Sequence, residues 1–212
     1  MTPPAVDPGT ADRPKTYLAL GDSYTIGQSV EFNQRFPVQT RYWLNQQGIS
    51  MYDPRFIAVT GWSTIALQQA IASENPAGPF DVVSLLIGVN DQYQGLDTAG
   101  YRTRFGQLLQ KAISLAGNKP ANVFVLSIPD YSVTPFARSS DTARIRKQLD
   151  DFNNINRQIT ENAGAPYLDI TPSSREARYN PSLIAADSLH FSGIEYGKWA
   201  ERLGAKMKAV LQ

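Results

Sequence analysis

Ser23 and His190 are the residues of this chain best suited to act as a nucleophile and its base. Ser23 stands in Gly21-Asp22-Ser23-Tyr24-Thr25-Ile26-Gly27, a serine with glycine on both sides. A serine hydroxyl is a weak nucleophile until a neighbouring base takes its proton. His190 is the chain's one histidine, so a serine–histidine mechanism has a single candidate base. Asp187 precedes it in Asp187-Ser188-Leu189-His190. From a loop, Asp187 can fold back on the imidazole, accept a hydrogen bond from Nδ1 and stabilise the imidazolium that forms in catalysis. Each residue also has a plainer use: Ser23 as a helix cap, His190 as a surface residue near a helix start, Asp187 as a turn residue.

Acyl transfer needs donors aimed at the charge of the tetrahedral intermediate, and losing one costs roughly a hundredfold or more in rate. Gly61, in Thr60-Gly61-Trp62-Ser63, offers a backbone N–H that no side chain obstructs. Asn90, in Gly88-Val89-Asn90-Asp91, offers a side-chain amide. Their plainer uses are turns. Trp62, Tyr93, Tyr131, Val133, Phe136 and Phe191 are candidates for an apolar wall around an acyl group, or for ordinary loop packing. Asp22 and Asp91 read as loop braces, and Asp130 and Asp169 have no histidine to work with. With one histidine and no cysteine, no zinc-type ligand set is present, and no metal or cofactor is expected. No glycine-rich phosphate loop occurs.

Five short runs rich in β-branched or aromatic residues, each closed by Gly or Pro, read as strands: residues 17–20, 56–60, 82–87, 122–128 and 167–170. Helical spacing of apolar residues covers residues 37–47, 63–73, 101–116 and 138–163. A final helix follows Ser192, where Ser192 and Glu195 match a capping box and Ile194, Trp199, Leu203, Met207 and Val210 form the apolar face. Strands alternating with helices predict an α/β fold, a parallel sheet covered on both faces. In such sheets ligands bind beyond the carboxyl ends of the strands. Ser23, Gly61, Asn90 and Tyr131 all fall just after a predicted strand, and His190 just before the last helix.

The 212 residues fit one domain, expected over residues 15–212 behind a flexible leader at residues 1–14. Hydrophobic residues make up 42% of the chain, enough for a sizeable core. Twenty basic and nineteen acidic residues nearly cancel, which gives no sign of a nucleic-acid partner. No apolar run is long enough to span a bilayer, so a soluble protein is expected, cytoplasmic or exported after loss of a leader. Nothing in the residues bears on oligomeric state. The absence of cysteine excludes disulfides and thiolate chemistry.

Taken in order, Gly21-Asp22-Ser23-Tyr24, Gly61, Gly88-Val89-Asn90-Asp91 and Asp187-Ser188-Leu189-His190 resemble the four blocks of the SGNH hydrolase superfamily, the GDSL esterases and lipases. The resemblance extends from Tyr17 to the last helix. It implies a flavodoxin-like three-layer sandwich with five parallel strands in the order 2-1-3-4-5. It also implies Ser23 as nucleophile, His190 as base with Asp187 as its partner, and an oxyanion hole from Ser23, Gly61 and Asn90. Tyr24 stands where leucine is usual, as in lysophospholipase-like members, and Phe191 stands where proline commonly follows the histidine. The expected partner is a small ester, of short-chain acyl, acetyl or lysophospholipid type. The alternatives are transfer of the acyl group to a sugar or alcohol, and a flavodoxin-like binding module without turnover.

Overall fold

The computed structural model describes residues 13–212. Most of the expected leader at residues 1–14 lies outside them; of its described part, Arg13 pairs with Asp81 at 3.0 Å. Five parallel strands, β1 (Tyr17–Gly21), β2 (Arg55–Ala58), β3 (Val82–Leu86), β4 (Val123–Leu126) and β5 (Tyr167–Leu168), form one sheet in the order β2-β1-β3-β4-β5. The expected order is therefore the observed one. β1, β3 and β4 are buried at every residue. Successive strand side chains point to opposite faces, so complete burial means that both faces are covered.

The helices are α1 (Ser23–Ile26), α2 (Phe36–Gln46), α3 (Thr64–Glu74), α4 (Val89–Tyr93), α5 (Thr98–Leu115), α6 (Thr142–Asn162), α7 (Thr171–Arg175) and α8 (Gly193–Leu211). α2 packs on α8, while α5 packs on α6 and α3. α6 buries Ile145, Leu149, Phe152 and Ile155, one stripe at helical spacing. Fully buried side chains such as Leu18, Leu20, Leu44 and Phe105 fill the core. Each contributes about 1.5–3 kcal/mol relative to exposure.

Three expectations are corrected. The helix expected from residue 138 begins at Thr142, where the Asp141 carboxylate accepts the Arg144 N–H. Ser192 does not cap α8 through its side chain; its hydroxyl donates to the Ser182 carbonyl at 2.7 Å. Glu195 is instead fully buried and accepts from the Trp199 indole N–H at 2.7 Å and the Ser173 hydroxyl. Ile194, placed on the apolar face by spacing, is 60% exposed. Glu195 and Tyr196, next along the same turn, are fully buried, so the face that α8 turns to the core here is theirs and not that of Ile194.

The sheet order reverses at β1, which carries β2 on one side and β3 on the other. Residues leaving the carboxyl ends of these strands meet there. Ser23 follows β1, the Gly61 turn follows β2, and Asn90 follows β3.

Candidate active site

Ser23 is the first residue of α1, reached directly from β1. Asp22 makes this sharp exit: its Oδ1 accepts the Tyr24 N–H at 3.0 Å and caps the helix. Asp22 is fully buried, and its other oxygen has no hydrogen-bond partner. Burial pushes its carboxyl up to about 8; the Tyr24 N–H opposes that rise and nearby Asp91 adds to it.

Asn90 lies in the first turn of α4. Gly88 just before it has φ +131°. A Cβ there would sit 2.8 Å from Tyr101 and Ile128, so glycine is required on both counts. Asn90 Nδ2 donates to the Trp62 carbonyl at 2.9 Å, which fixes the amide and leaves its second N–H uncommitted by that bond. The turn that supplies this carbonyl contains Gly61, at φ +85°, where an added Cβ would have no atom within 4 Å. Asp91 secures the same region from below. It is fully buried, accepts the Thr64 N–H that opens α3 at 2.8 Å, and pairs with Arg104 at 3.2 Å.

His190 is buried in the loop before α8. Its Nδ1 lies 2.6 Å from Asp187 Oδ2. Ser188 adopts φ +65°, which curls the chain so that Asp187 Oδ1 also accepts the N–H groups of Leu189 and His190 at 3.0 and 2.9 Å. The second carboxylate oxygen takes a further hydrogen bond, from Ser29 Oγ at 2.6 Å. Burial raises the Asp187 carboxyl, but the bonds from Ser29, Leu189 and His190 outweigh it and hold the group at about 2. A carboxylate on Nδ1 leaves Nε2 as the ring nitrogen free to act elsewhere. The Tyr24 ring braces the imidazole edge-on, 5.4 Å between centroids.

Ser23, Asn90 and His190 line one cavity of about 170 Å³ with Tyr24, Val89, Tyr93, Tyr131, Phe136 and Leu189. Residues from the ends of β1 and β3 and from the loop before α8 thus converge at one rim of the sheet. Tyr93, Tyr131 and Phe136 form an aromatic wall, with ring centroids 6.3–6.5 Å apart. Tyr131 is held by a hydrogen bond to Gln92 at 2.9 Å, and the Phe136 N–H donates to the Ser188 carbonyl at 3.0 Å.

Not every expected residue joins the cavity. Trp62 and Gly61 are not among its lining residues; Trp62 acts through its carbonyl on Asn90. Phe191, expected as a wall residue, is fully buried against Trp199 and Tyr24 instead. It follows His190 by one residue, so with the imidazole on the cavity its own ring turns to the core. Asp130, also buried, pairs with Arg175 at 2.8 Å and braces the loop that carries Tyr131. Nothing in the sequence around Ser29 marks it as a site residue, because its partner lies far along the chain. Among the described residues no group of three or more His, Cys, Asp or Glu side chains is placed to hold a metal ion. None of the described helices is long and apolar enough to cross a membrane.

Comparison with known proteins agrees with this architecture. Residues 19–196 match the GDSL-like Lipase/Acylhydrolase family. No curated protein sequence matches the chain. Among solved structures, a lipase/acylhydrolase from Enterococcus faecalis superposes with a TM-score of 0.70 at 16% identity, covering 92% of this chain and 96% of that one. Axe2, an acetylxylan esterase from Geobacillus stearothermophilus, gives a TM-score of 0.69 at 17% identity, covering 91% and 94%. At these identities the structural likeness is one of fold.

Proposed function

The chain belongs to the GDSL-like lipase/acylhydrolase family, and we propose that it is a serine esterase that hydrolyses short-chain carboxylic esters through an acyl-enzyme. The observation that carries this reading is the shared cavity of Ser23, Asn90 and His190, with Asp187 on the far nitrogen of the imidazole.

Those positions support the following sequence of steps. His190 Nε2 takes the Ser23 hydroxyl proton as Oγ attacks the ester carbonyl carbon. Asp187, ionised and hydrogen-bonded to Nδ1, stabilises the imidazolium. The oxyanion is met by the Asn90 amide and by the backbone N–H of Ser23, both on the cavity, while Gly61, outside its lining, serves through the turn whose Trp62 carbonyl holds Asn90. The Ser23 N–H is available because the first N–H groups of a helix have no partner within it. The imidazolium then gives its proton to the leaving alcohol as the C–O bond breaks. A water molecule, deprotonated by the same imidazole, attacks the acyl-enzyme and releases the acid and free Ser23.

The lining favours a small acyl group. Ligand pockets for drug-sized molecules usually enclose roughly 300–1,000 Å³, and this cavity holds about 170 Å³ between apolar and aromatic side chains. Acetyl to butyryl esters suit it, and an acetylated sugar is among the substrates with such an acyl group. A panel of p-nitrophenyl esters of increasing chain length, with Ser23→Ala as control, tests the reading. Turnover highest on the shortest esters and abolished in a folded Ser23→Ala variant supports it. Full activity in that variant removes it.

A further inference from the structure

We infer that Ser29 is a positioning residue of this site, a hydroxyl that holds Asp187 in the orientation His190 needs. The inference rests on the reading of Asp187 as the partner of His190. Ser29 Oγ donates to Asp187 Oδ2 at 2.6 Å, the same oxygen that His190 Nδ1 meets at 2.6 Å. The Asp187 carboxylate is therefore gripped on three sides: by Ser29, by the imidazole, and by the two backbone N–H groups of its own loop.

The backbone at Ser29 gives this contact independent weight. Ser29 has φ +64°, the left-handed region where glycine or asparagine is the usual occupant. A serine held there is strained, and such strain persists where surrounding contacts over-determine the conformation. Two contacts hold it: the Val30 N–H donates to the Gly27 carbonyl at 3.3 Å and closes the local turn, and the hydrogen bond to Asp187 joins segments far apart in sequence. Ser29 is exposed, so core packing does not account for its place.

The segment that bears Ser29 is also tied to the rest of the site. The Gln28 N–H donates to the Ser23 carbonyl at 2.9 Å. Gln28 Oε1 accepts from Thr60 Oγ1 at 2.7 Å, beside Gly61. The chain leaving α1 thereby links the nucleophile, the glycine turn and the acid loop. A displacement of Asp187 from this clasp would let the imidazole rotate, and the rate would fall while substrate binding stayed the same.

Ser29→Gly and Ser29→Ala, each alone and combined with Asp187→Ala, test this with kcat and KM on a short-chain p-nitrophenyl ester and with thermal unfolding. Glycine removes the hydroxyl and relieves the left-handed backbone; alanine removes the hydroxyl and keeps the strain. Both single variants are expected to lose roughly ten- to a hundredfold in kcat, as for a hydrogen bond to a charged group, with KM nearly unchanged. Ser29→Gly should melt no lower than the parent protein. In the Asp187→Ala background neither substitution should cost anything further. Full kcat in Ser29→Gly beside a crippled Asp187→Ala overturns the inference and leaves the triad intact. An equal loss in the Asp187→Ala background overturns it too, since the serine would then act without the carboxylate. Full activity in Asp187→Ala itself removes the triad reading and this inference with it.

Discussion

Asn90 Nδ2 donates to the Trp62 carbonyl at 2.9 Å, so the turn after β2 holds the amide that follows β3. The two strands lie on opposite sides of β1, the strand that leads to Ser23, and this bond joins their loops. An oxyanion donor gains from such fixing because it costs no reorganisation when charge develops.

Asn90→Ala is accordingly expected to lower kcat by roughly 10²–10³ with a small change in KM. Steady-state kinetics on a short-chain ester checks it. A loss of only a few fold would assign the oxyanion to other donors.

The pH dependence of kcat/KM should show a single ionisation on its acidic side. A general base accepts a proton only in its neutral form, so a mechanism with one base has one acidic limb. Asp187, held at about 2, is already ionised across that range and adds no second step. A slope of two protons on the acidic limb contradicts this.

Asp22 predicts the opposite trend in stability. Its carboxyl is raised from 3.8 to about 8 in the folded protein. The folded state then favours the protonated form. Its contribution is complete below about pH 4 and is lost as pH rises towards 8. Asp22→Asn keeps the acceptor for the Tyr24 N–H but cannot ionise. The melting temperature of this variant, relative to the parent, should therefore rise steadily from about pH 5 to about pH 8 and level off above it. A difference that does not vary with pH would refute the shift.

Phe136 is 44% exposed and closes one side of the aromatic wall. Phe136→Ala should lengthen the acyl chain the cavity accepts. The ratio of kcat/KM for hexanoyl over acetyl ester is expected to rise by roughly tenfold, the effect of about one methylene in an apolar pocket. Stability should change little, because the ring is not core. An unchanged ratio places the acyl group elsewhere.

Much of this site is legible in the chain because its parts sit at strand exits, where short apolar runs closed by glycine announce them. Ser23, Gly61 and Asn90 stand out in that way, and His190 by being the one imidazole. What escapes such reading depends on partners remote in sequence. Ser29 meets Asp187 only when the fold brings their loops together. Glu195 has the spacing of a capping residue, yet the Trp199 indole and the Ser173 hydroxyl claim its carboxylate inside the protein. Phe191 is as apolar as a wall residue should be, and alternation of side chains beside His190 turns it into the core. The short helices α1, α4 and α7 carry too few residues to show a period.

Every step proposed for this protein turns on Ser23 as the nucleophile and His190 as the base that activates it. The direct measurement is intact-mass and peptide mapping after treatment with a short-chain p-nitrophenyl phosphonate, which traps an activated serine covalently. One phosphonyl group on Ser23 in the parent protein, and a greatly slowed reaction in His190→Ala, is the predicted result. Labelling at another residue, or labelling of Ser23 at the same rate without the imidazole, would rule out this pair.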